Sequence, residues 1–254
     1  MGAVVLRATA PPAWPVDLAA LAPAALAGQT ADAIARIPLG RLAVGDLFAV
    51  TAGDAAELVI EGGSPLFTGI GAGMAAGTLR VEGDAGAFAG AELAGGRIEI
   101  HGDAGDHLGA PRADGRRGMS GGVVLVRGRA GGMAGARMRR GLIVVEGDAG
   151  TEAGAGMIAG TLAICGAAGA DVGVLMRRGT LLLGRAPAAP PAGFVTGHLP
   201  QDGVFLCLLA RALAPVSTVA ATRAAAVRAR WLGDLAALGR GEILLADAGA
   251  DAAG

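Results

Sequence analysis

The sequence predicts an all-β chain: a right-handed parallel β-helix of coils about 19 residues long, with an irregular N-terminal arm and a C-terminal helical tail. Three observations carry this. Five copies of Gly-x-x-Gly-x-x-x-Gly occur, at Gly83-Gly86-Gly90, Gly102-Gly105-Gly109, Gly128-Gly131-Gly135, Gly147-Gly150-Gly154 and Gly166-Gly169-Gly173; their first glycines are 19 residues apart except for one step of 26. Before each glycine set, apolar residues alternate as in a strand with one buried face: Leu79/Val81, Ile98/Ile100, Val124/Val126, Ile143/Val145, Leu162/Ile164 and, closing the series, Leu181/Leu183. Later in each period stands a second apolar column, Met74, Leu93, Met119, Met138, Met157 and Met176. A fixed period near 20 in a Gly-rich, non-helical stretch means stacked units that bury their apolar faces against each other. Crossovers between parallel strands are right-handed in almost every case. The left-handed form usually carries hexapeptide repeats, and 19 is not a multiple of six.

Taken in order, residues 1–40 read as an arm. Leu18 to Ala27 is apolar and follows Arg7, as in a signal peptide, but Pro11, Pro12, Pro15, Pro23 and Asp17 spoil a helical core for one, and a short helix is expected around Thr30 to Ile37. Residues 41–185 are the Gly-repeat domain, with an eroded first coil beginning near Ser64. The glycines serve corners, where the chain needs φ > 0 or close backbone approach. A phosphate cradle would need a following Gly-Lys-Ser/Thr and a helix, and neither is present. Residues 186–254 open with a Pro-rich linker; Val204 to Leu213 and Val219 to Leu232 read as helices and Gly239 to Leu245 as a closing segment. A stack's open end exposes unpaired strand edges, so capping is the default task of this tail.

Composition excludes several functions. A hydrophobic content of 53% with net charge −1 describes a chain with a sizeable core and no bulk affinity for nucleic acid. All 21 basic residues are Arg, while Lys, Asn and Tyr are absent, a bias of GC-rich coding rather than a device. Cys165 and Cys207 have neither metal-ligand nor disulfide-framework spacing, which fits a reducing cytoplasm. No stretch reaches the ~18 apolar residues of a membrane span.

Outward positions on the coils carry the functional signal. Between the buried strand residues the stack reads Arg80, Glu99, Leu125, Val144, Ala163, Leu182, so its second half presents an apolar stripe that should be covered by a partner protein or by the tail. The next columns are Glu82, His101, Arg127, Glu146, Cys165 and Asp84, Asp103, Arg129, Asp148. Arg127 beside Glu146, and Arg129 between Asp103 and Asp148, suggest cross-strand ion pairs rather than a catalytic groove. His101 and His107 lack a third metal ligand, and no nucleophilic triad emerges from three histidines, so catalytic, cofactor-binding and metal residues are expected to be none. The long repeat inserts seven residues within APRADGRRG between Gly109 and Met119; from Arg112 to Arg140 eight Arg face one acid, Asp114. Arg112, Arg116, Arg117, Arg139 and Arg140 thus form a cationic edge suited to an anionic contact.

The phrases GMSGGVVLVRGRAGGMAG (118–135) and MRRGLIVVEGDAG (138–150), the long third coil and the closing GDLAALGRGEILL (233–245) resemble the family of formylmethanofuran dehydrogenase C subunits, most of all its members in bacterial formyltransferase/hydrolase complexes. The Gly repeat is similar, more distantly, to the C-terminal domain of glutamate synthase. Where that family carries a Cys-Gly-containing segment after the repeats, GFVTGHLPQDG (193–203) departs from it. The resemblance implies a β-helical scaffold docked to hydrolase and formyltransferase subunits in one-carbon metabolism. In such complexes a formyl group moves from a tetrahydromethanopterin carrier to a methanofuran-type carrier and is hydrolysed to formate, with zinc on another subunit. A polyglutamate carrier tail and an acidic partner surface both suit the Arg edge. A redox formylmethanofuran dehydrogenase is the nearest alternative. A free-standing lyase or isomerase would need carboxylates left unpaired in one groove, and an extracellular adhesin would need Asn- or Thr-rich faces.

Overall fold

The computed structural model describes residues 2–113, 115–199 and 203–246. In chain order these form β1 (Val4–Ala8), β2 (Val16–Asp17), α1 (Pro23–Leu26), α2 (Ala31–Ala35), β3 (Pro38–Leu39), β4 (Leu42–Ala43), α3 (Val44–Leu47) and β5 (Phe48–Thr51). The repeats supply β6 (Glu57–Ser64), β7 (Phe67–Thr68), β8 (Thr78–Ala85), β9 (Arg97–Ile100), β10 (Val123–Val126), β11 (Leu142–Val145), β12 (Thr161–Ile164) and β13 (Arg178–Leu183). The tail adds β14 (Val195–Gly197), α4 (Val204–Leu213), α5 (Thr218–Ala225), β15 (Ala229–Gly233) and β16 (Arg240–Leu245).

One 12-stranded sheet runs β14-β15-β16-β13-β12-β11-β10-β9-β8-β6-β1-β5. From β6 to β13 its neighbours are parallel and consecutive along that sheet, and the register matches the repeat: Ile98 pairs with Val124, Val124 with Ile143, Ile143 with Leu162 and Leu162 with Leu181. These residues and their alternates Ile100, Val126, Val145, Ile164 and Leu183 are fully buried, because a period of two sends both to the same side of the sheet. The second apolar column is buried too, Met119, Met138, Met157 and Met176 at 0% exposure. A further ladder of parallel bridges links Ala85, Ala104, Ala130, Ala149 and Ala168, one residue from each repeat.

Corner glycines act in two ways. Gly154 stands for the third glycine of the motif: its φ of +74° is left-handed, and a Cβ there would lie 2.9 Å from Leu181 Cδ2. Gly150, a second glycine, has ordinary φ but packs so closely on the preceding coil that a Cβ would stand 2.6 Å from the Gly132 nitrogen. The seven-residue insertion leaves this frame intact. Met119 N still donates to Gly109 O at 2.7 Å, the same turn that Met138 makes to Gly135 at 3.1 Å without an insertion.

Both ends differ from expectation. The arm is more regular than the proline content suggests, since β1 enters the main sheet parallel to β6 and antiparallel to β5. The short helix expected around 30–37 is α2, with the Thr30 hydroxyl accepting from Ala33 N as its N-cap. In the tail, the expected helix from Val219 to Leu232 stops at Ala225, and its second half is β15, antiparallel to β16. As part of β15, Trp231 is buried in the main core. The closing segment is a strand, β16, which adds parallel to β13 and covers that edge of the stack.

Candidate functional site

Charged side chains on the strand face are consumed by one another. Arg127 donates to Glu146 at 2.8 Å and to Glu99 at 3.0 Å, spanning three coils. His101 lies 2.7 Å from Glu82 and 3.4 Å from Glu99, while Arg80 meets Glu82 at 2.9 Å. Partial burial alone would raise the Glu99 carboxyl, but the hydrogen bond and charge of Arg127 outweigh it and hold Glu99 below the usual carboxylate range. Among the described residues Arg129 has no carboxylate within 4.0 Å, so it does not join the ion ladder that the charge alternation suggested. Instead, Asp84 accepts from Asp103 N at 2.8 Å, Asp103 from Arg129 N at 2.7 Å and Asp148 from Ala167 N at 2.8 Å. A carboxylate one residue past the first glycine sits close enough to the next coil to satisfy its backbone amide, which outcompetes a flexible guanidinium in water. Among the described residues, no three His, Cys, Asp or Glu are placed to hold a metal ion.

The apolar stripe is covered from within. Leu125, Val144, Ala163 and Leu182 are all at 0% exposure, in a cluster with Leu209 and Leu213 of α4, and Val216, Ala220 and Ala224 of and beside α5. They are therefore not available for partner contact, and the cover is the tail. The helices fit because each turns small or aliphatic residues toward the sheet. Ser217, the N-cap of α5, also donates to Glu146 at 2.6 Å, fastening the helix to the charge ladder. Beneath them Cys165 is buried, and desolvation with the nearby Glu146 charge pushes its thiol up to about 11.

The Arg edge divides. Arg112 turns back on the arm, donating to both carboxylate oxygens of Asp17, so it holds the insertion to this chain rather than to a partner. Burial would raise Asp17, but Arg112 and the Ala19 amide outweigh it and its carboxyl sits below the ordinary range. Arg116, Arg117, Arg139 and Arg140 are exposed. Asp114, the acid of the insertion, lies outside the described residues.

Beside this edge lies a groove that sequence reasoning missed. It measures about 480 Å³, and its lining includes Phe88, His107, Met133, Arg137, Glu152 and Leu175. Its floor is a buried cluster of Ala110, Ala136 and Ala155. Phe88 and His107 stack with ring centroids 4.7 Å apart. Phe88, His107, Met133 and Glu152 each fall five residues after a first glycine and share a left-handed φ of 57° to 64°. The 19-residue alignment already placed them in one column; their mixed chemistry hid it.

No protein-family model matches the chain. It is 37% identical over 75 residues to the C subunit of the formyltransferase/hydrolase complex (Fhc) of Methylorubrum extorquens, a match covering 28% of this chain and 28% of that protein. In the X-ray crystal structure of the formyltransferase/hydrolase complex FhcABCD from Methylorubrum extorquens with methylofuran, one chain superposes with a TM-score of 0.83 and 37% identity, covering 95% of this chain and 98% of that one. The chain belongs to the family of Fhc C subunits. Both ends of this C-subunit fold, β1 and β16, are integral to its main sheet. The segment 193–203, which departs from the family pattern, contributes β14, antiparallel to β15 at the sheet's edge; Pro200, Gln201 and Asp202 lie outside the described residues. Among the described residues no helix is long and apolar enough to cross a membrane.

Proposed function

We propose that this chain is a non-catalytic scaffold subunit of a cytoplasmic formyltransferase/hydrolase complex. Hydrolase and formyltransferase subunits are its partners there. In that reading the complex moves a formyl group from formyl-tetrahydromethanopterin to a methanofuran-type carrier and hydrolyses it to formate. This chain binds neither carrier, and zinc belongs to another subunit. The parallel stack is a right-handed β-helix, supported by in-register coils and the right-handed rule for parallel crossovers. The arm and the described part of the tail close its two ends, and α4 and α5 cover its apolar strand face.

The observation that carries the reading is similarity along nearly the whole length, 95% of this chain, to a chain of such a complex. The chemistry agrees. Glu99 and Glu146, the carboxylates of the sheet face nearest to a catalytic arrangement, are engaged by Arg127, and Asp84, Asp103 and Asp148 by backbone amides. A general acid or base needs a proton it can exchange with substrate, and these groups are committed to structure. The test is twofold. Tagged chain expressed in its native host should co-purify with the hydrolase and formyltransferase subunits, and the chain purified alone should show no formyl transfer or hydrolysis. Turnover by the isolated chain, or recovery without those subunits, refutes the reading.

A further inference from the structure

Among the described residues some arginines have a carboxylate within 4.0 Å and others, on several faces of the molecule, have none. On the sheet face Arg7, Arg80, Arg127 and Arg230 each have a carboxylate at 2.6 to 3.0 Å. Along the groove side, Arg116, Arg117, Arg137, Arg139 and Arg177 have no described carboxylate within 4.0 Å. The stacking concentrates them: Arg139 N bonds Met119 O and Arg177 N bonds Met157 O, so these two side chains sit in one column two coils apart, about 10 Å. At the end of the same rim Arg178 pairs in register with Arg240 of β16, both exposed. Like charges directly opposite on neighbouring strands are unfavourable unless an anion lies between them.

The surface beside this rim is apolar. Leu175 is 56% exposed and lines both the main groove and a second hollow of about 390 Å³ that it shares with Arg177 and Leu238, itself 47% exposed. The lining spans the coils of Phe88 to Leu175, four steps of stacking, roughly 19 Å. That is the length of about six extended residues. The rod's own amides are not offered: Phe88 N bonds Asp106 O at 2.9 Å, Met133 N bonds Thr151 O at 2.8 Å and Arg137 N bonds Ala155 O at 2.8 Å. Strand addition is therefore excluded, and recognition must come from side chains. Among the described lining residues the carboxylate is Glu152, with Glu92 accepting from the Arg112 amide beside it, and the cations left without a described carboxylate are Arg137 in the groove and Arg177 in the adjoining hollow.

We infer that this groove receives an extended, acidic segment of another subunit, its apolar side chains on the Ala110/Ala136/Ala155 floor and its carboxylates on Arg137, Arg139 and Arg177. The inference rests on the proposed membership of a complex and adds where and by what chemistry docking occurs. Charge complementarity selects the acidic partner, and the apolar floor selects a protein segment over a simple polyanion.

The test is co-expression of the full chain with the hydrolase and formyltransferase subunits, comparing wild type with the triple variant Arg137→Glu/Arg139→Glu/Arg177→Glu and with Leu175→Asp. All four positions are exposed or line an open groove, so thermal midpoints of the isolated variants should match wild type. Recovery of partner subunits should fall by about tenfold or more in both. A photo-crosslinker at Leu175 should join a partner segment containing several Asp or Glu, and charge reversal there should restore assembly of the triple variant. Normal assembly of either variant with the other subunits present overturns the groove assignment and leaves complex membership standing. A crosslink to a second copy of this chain, or to a basic or neutral segment, overturns it as well. If wild-type chain fails to recover those subunits at all, the membership reading falls and this inference with it.

Discussion

At the scale of single residues, this protein uses its ionisable groups as fasteners. Asp17 and Glu99 have carboxyls held below their unfolded values by Arg112 and Arg127. A carboxylate depressed on folding contributes stability that is present above its unfolded pKa, about 4, and is lost as pH falls through the lower folded value. Wild-type chain should therefore lose stability below about pH 4. Arg127→Gln should be less stable than wild type at pH 7 and converge with it at strongly acid pH, read as melting midpoints across that range. Equal gaps at pH 7 and in strong acid would show that the pair contributes no pH-dependent stability. The two cysteines offer a contrast. Cys207 is exposed, whereas Cys165 is buried with its thiol raised to about 11. Alkylation of the native chain at pH 8 should modify Cys207 alone, with Cys165 reacting only after unfolding. Labelling of both at similar rates would mean that α4 and α5 do not stay on the sheet.

At the scale of elements, coil register and tail docking are separately testable. Met138 and Met157 occupy one column at 0% exposure, and truncating either to Ala should cost about 2–5 kcal/mol, measured by denaturant unfolding. Gly154→Ala forces a Cβ into a left-handed residue against Leu181, a backbone penalty of about 1–2 kcal/mol before any steric cost. The tail is tested by Leu125→Asp with Val144→Asp. Both side chains lie under α4 and α5, so the helices must leave or bury unpaired carboxylates. The double variant should lower the unfolding midpoint of the isolated chain and speed labelling of Cys165. An unchanged midpoint would place the tail elsewhere in solution.

At the scale of the whole molecule, the arrangement assigns each face of the stack a role. Outward-facing side chains of the strands carry the tail, the charge ladders lock neighbouring coils, and β16 extends the sheet past β13. Among the surfaces that the described residues leave unengaged are the groove with its basic rim and the outer apolar face of α4. Association of the chain with an acidic partner through that rim should be salt-sensitive. Raising salt from 50 to 500 mM should weaken partner retention in a pull-down, because exposed charges are screened beyond about one Debye length. Retention independent of salt would assign docking to an apolar face instead.

The repeat, the strand register, the buried methionine column and the kinship were all legible in the sequence because each is written in local, periodic terms. Glycine spacing sets the corners, and alternation sets which side chains face inward. What covers the outer face was not legible. Leu125 and Val144 read as equally suited to a partner or to the tail, because apolar outward residues state that something must cover them without naming it. The reading of Val219–Leu232 as one helix failed for a related reason. Its composition suits a helix, and only the free edge of β16 makes a strand of residues 229–233 the better partner. Arg112 and Arg129 show the same limit for charge: the sequence places a guanidinium near acids, but distances in three dimensions send one to Asp17 and leave the other without a described carboxylate. Long-range competition for partners is a property of the packed chain, and only the tertiary structure decided it.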